Sequence, residues 1–500
     1  MDQTPLPPTT RRFALIVPTG RLVVLSALLA IPVGFADFVW PDHRLVLALV
    51  CLGIMLALLV IDGVLAPGIS SLSGSRTVDT PIVLGQPSTV SWTITNHATR
   101  QATLWLSDGA SPSLRPDTGR LTIKLAPNAV AVSTYQIRPV RRGMITIDGP
   151  VIRSFGPLGL AAAQWVWALD AQVLVNPAFP SRKLAELRLT DARRLFAGQR
   201  AVRIVGESSE FDYLRDYTPD DDIRHINWAA SARSQHLVVE QTRAERNHQV
   251  IVLLDHSRLS APTVRRFTPP PTVFDGPVVD LDVIEQETFE LDRAPRLDHN
   301  IDAALALGHV TTGLGDRFGL ITYAGTVTNI LPPDNTLSQR VALGRILAAV
   351  HPNWDEADPL AAATWLMANW QRPALVVVLT DLAAEHARTR LRSAITRLSR
   401  RHHIVIGAAG DPTVDMWAQT KPIDELGAMR MLAARRAIQR RQSTAAMLTR
   451  MGVDVIDAPA GQLSDRLLDT YLGASNMSAE SRVNVAVQRG WSSDLRHDGS

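Results

Sequence analysis

Two aspartates that end apolar runs are the first residues here that could do chemistry. Asp255 follows Val250-Ile251-Val252-Leu253-Leu254, and Asp381 follows residues 374–380, ALVVVLT. If both runs are strands of one parallel sheet, both carboxylates emerge at its carboxyl edge, where such sheets place their ligand crevice. Two such strand ends can share a cation. The same aspartates also fit a plainer role, capping the turn or helix that follows. His256 and Ser257 lie next to Asp255, but an isolated Ser-His neighbour pair is weak ground for a hydrolase.

A second concentration of chemistry spans residues 210–233, EFDYLRDYTPDDDIRHINWAASAR. Glu210, Asp212, Asp220, Asp221 and Asp222 interleave with Arg215, Arg224 and Arg233. Tyr213, Tyr217, Ile226 and Trp228 supply anchors that would hold such a loop on a core, which a disordered charge run lacks. Local ion pairing and a docking surface both fit this composition.

Other activities find less support. Residues 313–319, GLGDRFG, miss the dinucleotide-binding spacing by one position and precede a strand rather than opening a helix. No Walker-type phosphate loop occurs. The net charge of +3 over 500 residues gives nucleic-acid binding no global electrostatic support. The single cysteine, Cys51, lies inside an apolar run, which excludes an intramolecular disulfide and a cysteine nucleophile in a soluble pocket.

The elements that must position these residues follow from hydrophobic patterning. Residues 1–75 hold an N-terminal tail and two apolar runs, 22–40 and 45–65, each near the roughly 20 residues needed to cross a bilayer. The short gap between them predicts an antiparallel transmembrane hairpin, with Pro32 and Asp62 as tolerated blemishes. Arg11, Arg12 and Arg21 before the first run, against Arg44 in the turn, place both termini in the cytoplasm.

Residues 76–178 alternate with period two between turn residues and predict an antiparallel, immunoglobulin-like β-sandwich. In it, residues 141–143, RRG, read as turn chemistry, the alternative being an exposed Arg141-Arg142 pair that touches lipid headgroups. Residues 179–248 form a connector, with one short amphipathic helix crossing between modules, followed by the charged segment. Over residues 249–473, strands at 250–254, 319–323, 374–379, 403–406 and 453–456 alternate with helices, predicting a largely parallel sheet in an α/β domain. Residues 261–297 are an acidic insertion. The arginine-rich run from Arg430 to Arg441 reads as a solvated helix face, and residues 474–500 as a disordered tail.

The series Leu214, Arg215, Tyr217, Asp221, Asp222, Arg224, Ile226, Asn227, Trp228, Ser231, Ala232 and Arg233 resembles the signature of a bacterial membrane-protein family, domain of unknown function fifty-eight. Asp220 stands where that family usually has glycine. Residues 155–160, FGPLGL, resemble a recurrent turn of the family. The resemblance implies that the second half is similar to the von Willebrand factor type A fold, whose metal-ion-dependent adhesion site begins D-x-S-x-S. Here Asp255 and Ser257 match, Leu259 occupies the third position, and Ser260 is one residue late.

The implied fold is thus α/β: a von Willebrand A-like parallel-sheet domain, a β-sandwich and a transmembrane hairpin. The implied metal ligands are Asp255, Ser257 and Asp381, and Mg²⁺ suits such oxygen donors, although no cofactor is required. The resemblance also implies a protein partner, a MoxR-type AAA+ ATPase, for which Arg215, Tyr217, Asp221, Asp222, Arg224, Asn227, Trp228 and Arg233 are the docking candidates. The expected function is a noncatalytic scaffold or adaptor in the bacterial cell membrane, with its soluble domains cytoplasmic. A Mg²⁺-dependent ligand or adhesion receptor is the alternative.

Overall fold

A computed structural model describes residues 15–39, 44–199, 211–216, 228–234, 237–242, 248–266 and 293–475. The chain divides into two compact units, Met1–Asn176 and Pro177–Ser500.

The first unit opens with strand β1 (Leu15–Pro18) and two helices, α1 (Gly20–Val39) and α2 (Arg44–Leu65). Residues Leu45–Leu65 have a mean hydropathy of 2.9, long and apolar enough to cross a membrane. Leu45, Leu49, Leu52, Leu56 and Val60 all stand exposed, a surface suited to lipid rather than water.

Nine strands then build a sandwich: β2 (Leu72–Val78), β3 (Ile82–Val83), β4 (Ser88–Asn96), β5 (Ala102–Ala110), β6 (Leu121–Leu125), β7 (Val130–Ile137), β8 (Gly143–Phe155), β9 (Ala161–Val166) and β10 (Ala171–Asn176). β2, β4 and β7 make one sheet; the other runs β1-β9-β8-β10-β3, with β5 on β8 and β6 on β5. Alternate residues of β4 (Val90, Trp92, Ile94) and β5 (Leu104, Leu106) point inward and meet Ile147, Trp165 and Trp167. One polar hub lies beneath them. Asp108 accepts from Arg76 Nη1 at 2.7 Å, Trp92 Nε1 at 2.9 Å and Tyr135 Oη at 2.7 Å.

Two sequence expectations change in this unit. Arg142 is buried, and burial, with Arg141 beside it, lowers its pKa to about 10, so the pair is not an exposed one offered to headgroups. Asp62, read as a tolerated blemish of the second apolar run, is wholly buried in protein and has a structural partner. Its Oδ1 accepts the Leu158 amide at 2.7 Å, and its Oδ2 accepts those of Leu160 and Ala161 at 2.7 and 2.8 Å. Across the same turn, Thr19 Oγ1 donates to Gly159 O at 2.5 Å. The turn is therefore held by Thr19, just before α1, and by Asp62, near the end of α2. Gly159 has φ +67, which glycine adopts without strain.

The second unit begins with α3 (Arg182–Gln199). Rather than crossing between modules, α3 packs into this unit's core through Ala185 and Leu189. Arg188 pairs with Asp465 at 2.7 Å, and Leu187 faces outward. β11 (Phe211–Asp216) and β12 (Val238–Thr242) form an antiparallel ribbon, and α4 (Trp228–Ser234) precedes β12.

The main sheet contains β13 (Gln249–Asp255), β16 (Arg317–Tyr323), β17 (Val327–Asp334), β18 (Leu375–Leu379), β19 (His403–Gly410) and β20 (Asp454–Pro459), while β14 (Thr263–Arg265) and β15 (Arg293–Pro295) pair separately. Its order is β17-β16-β13-β18-β19-β20, parallel throughout except for β17. The helices are α5 (Arg296–Leu314), α6 (Leu337–Ala349), α7 (Pro359–Asn369), α8 (Glu385–Leu398), α9 (Pro412–Gln419), α10 (Glu425–Arg450) and α11 (Leu463–Ser475).

Every residue of β13 is buried, because both faces of the sheet are covered. Val250, Val252 and Leu254 join one core with α5 and α11; Ile251 and Leu253 join another with α7 and α8. Strand β17 and helix α9 were not anticipated. β17 carries Pro332 and Pro333, which only an edge strand tolerates, and α9 is short, started by the Asp411 cap and Pro412. The glycine-rich residues 313–319 end α5: Gly315, at φ +92, donates to Thr311 and Thr312 carbonyls. In the arginine-rich helix α10, Arg441 pairs with Asp457 and Arg435 Nε donates to Ala418 O.

Candidate functional site

Strand order reverses about β13, so β13 and β18 flank the topological switch point, where an α/β sheet opens a crevice beyond its carboxyl ends. The structure brings Asp255, Ser257, Thr380 and Asp381 to that edge. Asp255 is 1% exposed. Its Oδ1 accepts the Ser257 amide at 2.8 Å, and its Oδ2 accepts Thr380 Oγ1 at 2.6 Å. Burial pushes the Asp255 carboxyl above its usual pKa, against the hydrogen bonds from Thr380 and Ser257.

The neighbouring groups are equally engaged. Ser257 caps a short 3₁₀ turn, its Oγ accepting from Leu259 N at 3.3 Å, while Ser260 Oγ donates to Ser257 O at 2.7 Å. His256 points away from Ser257: Nδ1 donates to His351 O at 3.0 Å, and Nε2 lies 2.8 Å from Thr328 Oγ1. That arrangement supplies no Ser257–His256 hydrogen bond of the kind an activated serine needs.

Asp381 has a partner that the sequence did not announce. Arg296, the first residue of α5, sends Nη1 to Asp381 Oδ2 at 2.6 Å and to Leu259 O at 2.9 Å. Asp381 Oδ1 accepts the Ala383 amide at 3.0 Å. A guanidinium thus supplies the positive charge at this edge. With the Arg296 guanidinium seated on Asp381 Oδ2, its positive charge opposes a divalent cation shared by Asp255, Ser257 and Asp381. Among the described residues, no group of three His, Cys, Asp or Glu side chains is placed to hold a metal. Arg296 and Thr380 were the residues sequence reasoning missed, and neither lies in a local motif.

The charged segment falls partly outside the described residues: Tyr217, Asp221, Asp222, Arg224 and Asn227 all lie there. Arg215 lies in β11, in register with Val239. Trp228 was expected to anchor a loop on a core, yet it is 67% exposed at the start of α4. Arg233 is exposed on the same helix. The buried anchor is Ser231, whose Oγ accepts the Val238 amide at 2.9 Å and ties α4 to β12.

Residues 213–266 and 277–413 match the family described as "Protein of unknown function DUF58". Three crystal structures resemble parts of it. The conserved hypothetical protein BatB from Bacteroides thetaiotaomicron is 12% identical with a TM-score of 0.27, covering 46% of this chain and 98% of that one. An aerotolerance-related membrane protein from Bacteroides fragilis NCTC 9343, carrying multiple mutations to serines, is 13% identical with a TM-score of 0.24, covering 45% and 99%. A FixG-related protein from Vibrio parahaemolyticus is 11% identical with a TM-score of 0.16, covering 21% and 96%. Likeness at this level carries no functional argument. None of the curated proteins matches significantly.

Proposed function

We propose that the chain is a membrane-anchored, noncatalytic adaptor that binds a protein partner through its second unit. In this reading α1 and α2 form a transmembrane hairpin with the β-sandwich and the second unit in the cytoplasm, and the second unit is a von Willebrand A-like module. The strand order, with one antiparallel edge strand, supports the last point. The observation that carries the functional reading is the internal satisfaction of the crevice: Asp255, Ser257, His256 and Asp381 are each engaged by protein groups. Groups so engaged hold one another in place, which supports a positioning role over a catalytic one for these four residues.

The partner that the family resemblance implies is a MoxR-type AAA+ ATPase, and the charged segment is the docking candidate. Pull-down from membranes with Asp222→Ala and Arg224→Ala variants tests it. Partner recovery should fall in both, and recovery equal to wild type would reject that docking surface.

A further inference from the structure

Asp255 and Asp381 bring two carboxylates to the carboxyl edge of the sheet, where such sheets open their ligand crevice, and Asp381 holds a positive charge there. In this chain that charge is covalently attached. Arg296 Nη1 bridges Asp381 Oδ2 and Leu259 O, and the ion pair is nearly enclosed, with side chains 14% and 12% exposed. Leu259 is the very position at which the sequence departs from a D-x-S-x-S ligand run. Its backbone carbonyl meets the guanidinium instead.

The arginine is also held from behind. Its own amide donates to Pro262 O at 2.9 Å, and the ribbon that precedes it pairs Thr263 with Pro295 and Val264 with Ala294. These contacts fix the main chain at the start of α5, so the side chain enters the crevice from a braced origin. A buried ion pair survives only with good geometry and supplementary hydrogen bonds. Here the Leu259 carbonyl and the Ala383 amide supply them, one to each partner.

We infer that Arg296 is the resident cation of this crevice, joining Asp381 to the turn after β13, and that the site works independently of metal. Replacing a mobile ion by a guanidinium has a chemical consequence. Chelators should leave the crevice intact, and divalent ions should find no vacancy among Asp255, Ser257 and Asp381.

The test uses the full chain in detergent, Mn²⁺ as the probe, and two readouts: thermal unfolding and the electron paramagnetic resonance signal of free Mn²⁺. Wild type should show neither a midpoint shift with Mn²⁺ or chelator nor a bound Mn²⁺ removable by Asp381→Asn. Arg296→Ser should unfold at a lower temperature and recover part of the loss in millimolar Mn²⁺. Arg296→Ser/Asp381→Asn should not recover, and Arg296→Lys should stay closer to wild type than Arg296→Ser. Mn²⁺ bound by wild type and released by Asp381→Asn would overturn the inference, a result that requires no arginine variant to fold. A folded Arg296→Ser chain as stable as wild type, or indifferent to Mn²⁺, would overturn it equally.

Discussion

Replacing Asp62 by asparagine should loosen the turn that Asp62 and Thr19 hold, and the structure sets the size of the effect. Three backbone amides converge on a wholly buried carboxylate, from Leu158, Leu160 and Ala161. Asparagine keeps one acceptor oxygen and turns an NH₂ group toward the remaining donor. One buried N–H then loses its partner, which costs about 1–3 kcal/mol, and the other two bonds fall from charged to neutral strength. Together the loss is about 2–4 kcal/mol, or a roughly 30- to 700-fold rise in local opening, since 1.4 kcal/mol is about tenfold.

Hydrogen exchange of the detergent-solubilised chain measures this directly. In Asp62→Asn the amides of Leu158, Leu160 and Ala161 should exchange faster while those of β5 keep their wild-type rate. A Cβ on Gly156 would run into Asp62, so Gly156→Ala should accelerate the same amides by a different route. Unchanged exchange at the turn in Asp62→Asn would refute the clamp, and equal acceleration at β5 would show a global loss of stability.

Two further outcomes are expected. In the sandwich, Asp108→Ala leaves the Arg76 guanidinium, 4% exposed, without its counter-ion and frees the Trp92 and Tyr135 donors. The cost should be about 3–5 kcal/mol by denaturation followed through tryptophan fluorescence, and a loss under about 1 kcal/mol would deny the hub its role. In the second unit, burial first and Arg266 next lower His299 to about pKa 4 from 6.5. The native state therefore resists protonation, so stability complete above pH 6.5 is lost as pH falls toward 4, by on the order of 3 kcal/mol at full protonation. His299→Gln should flatten the stability profile across that window, as equilibrium unfolding at its two ends would show; an unchanged slope would contradict the assignment.

How much was legible depended on how local the cause was. The strands of the main sheet announced themselves because a strand covered on both faces reads as an unbroken apolar run, as Val250 to Leu254 does. β17 did not, since an edge strand with Pro332 and Pro333 and a half-exposed surface matches no buried pattern. Helix α3 was visible as an amphipathic segment, but its destination was not. Ala185 and Leu189 show an apolar stripe without showing which core receives it. The same limit applies to Trp228, whose aromatic ring suggested an anchor although it faces outward.

Composition and periodicity by themselves determined an apolar N-terminal pair of segments, an alternating β region and an α/β region whose aspartates end buried strands, because each rests on neighbours within a turn or two of chain. Tertiary structure alone decided what those aspartates do. Asp62 meets its amides 96 to 99 residues away, Asp255 meets Thr380 at 125, and Asp381 meets Arg296 at 85. A carboxylate's role is set by which donors or charges desolvate with it, and chain folding, not residue order, brings those groups within 3 Å.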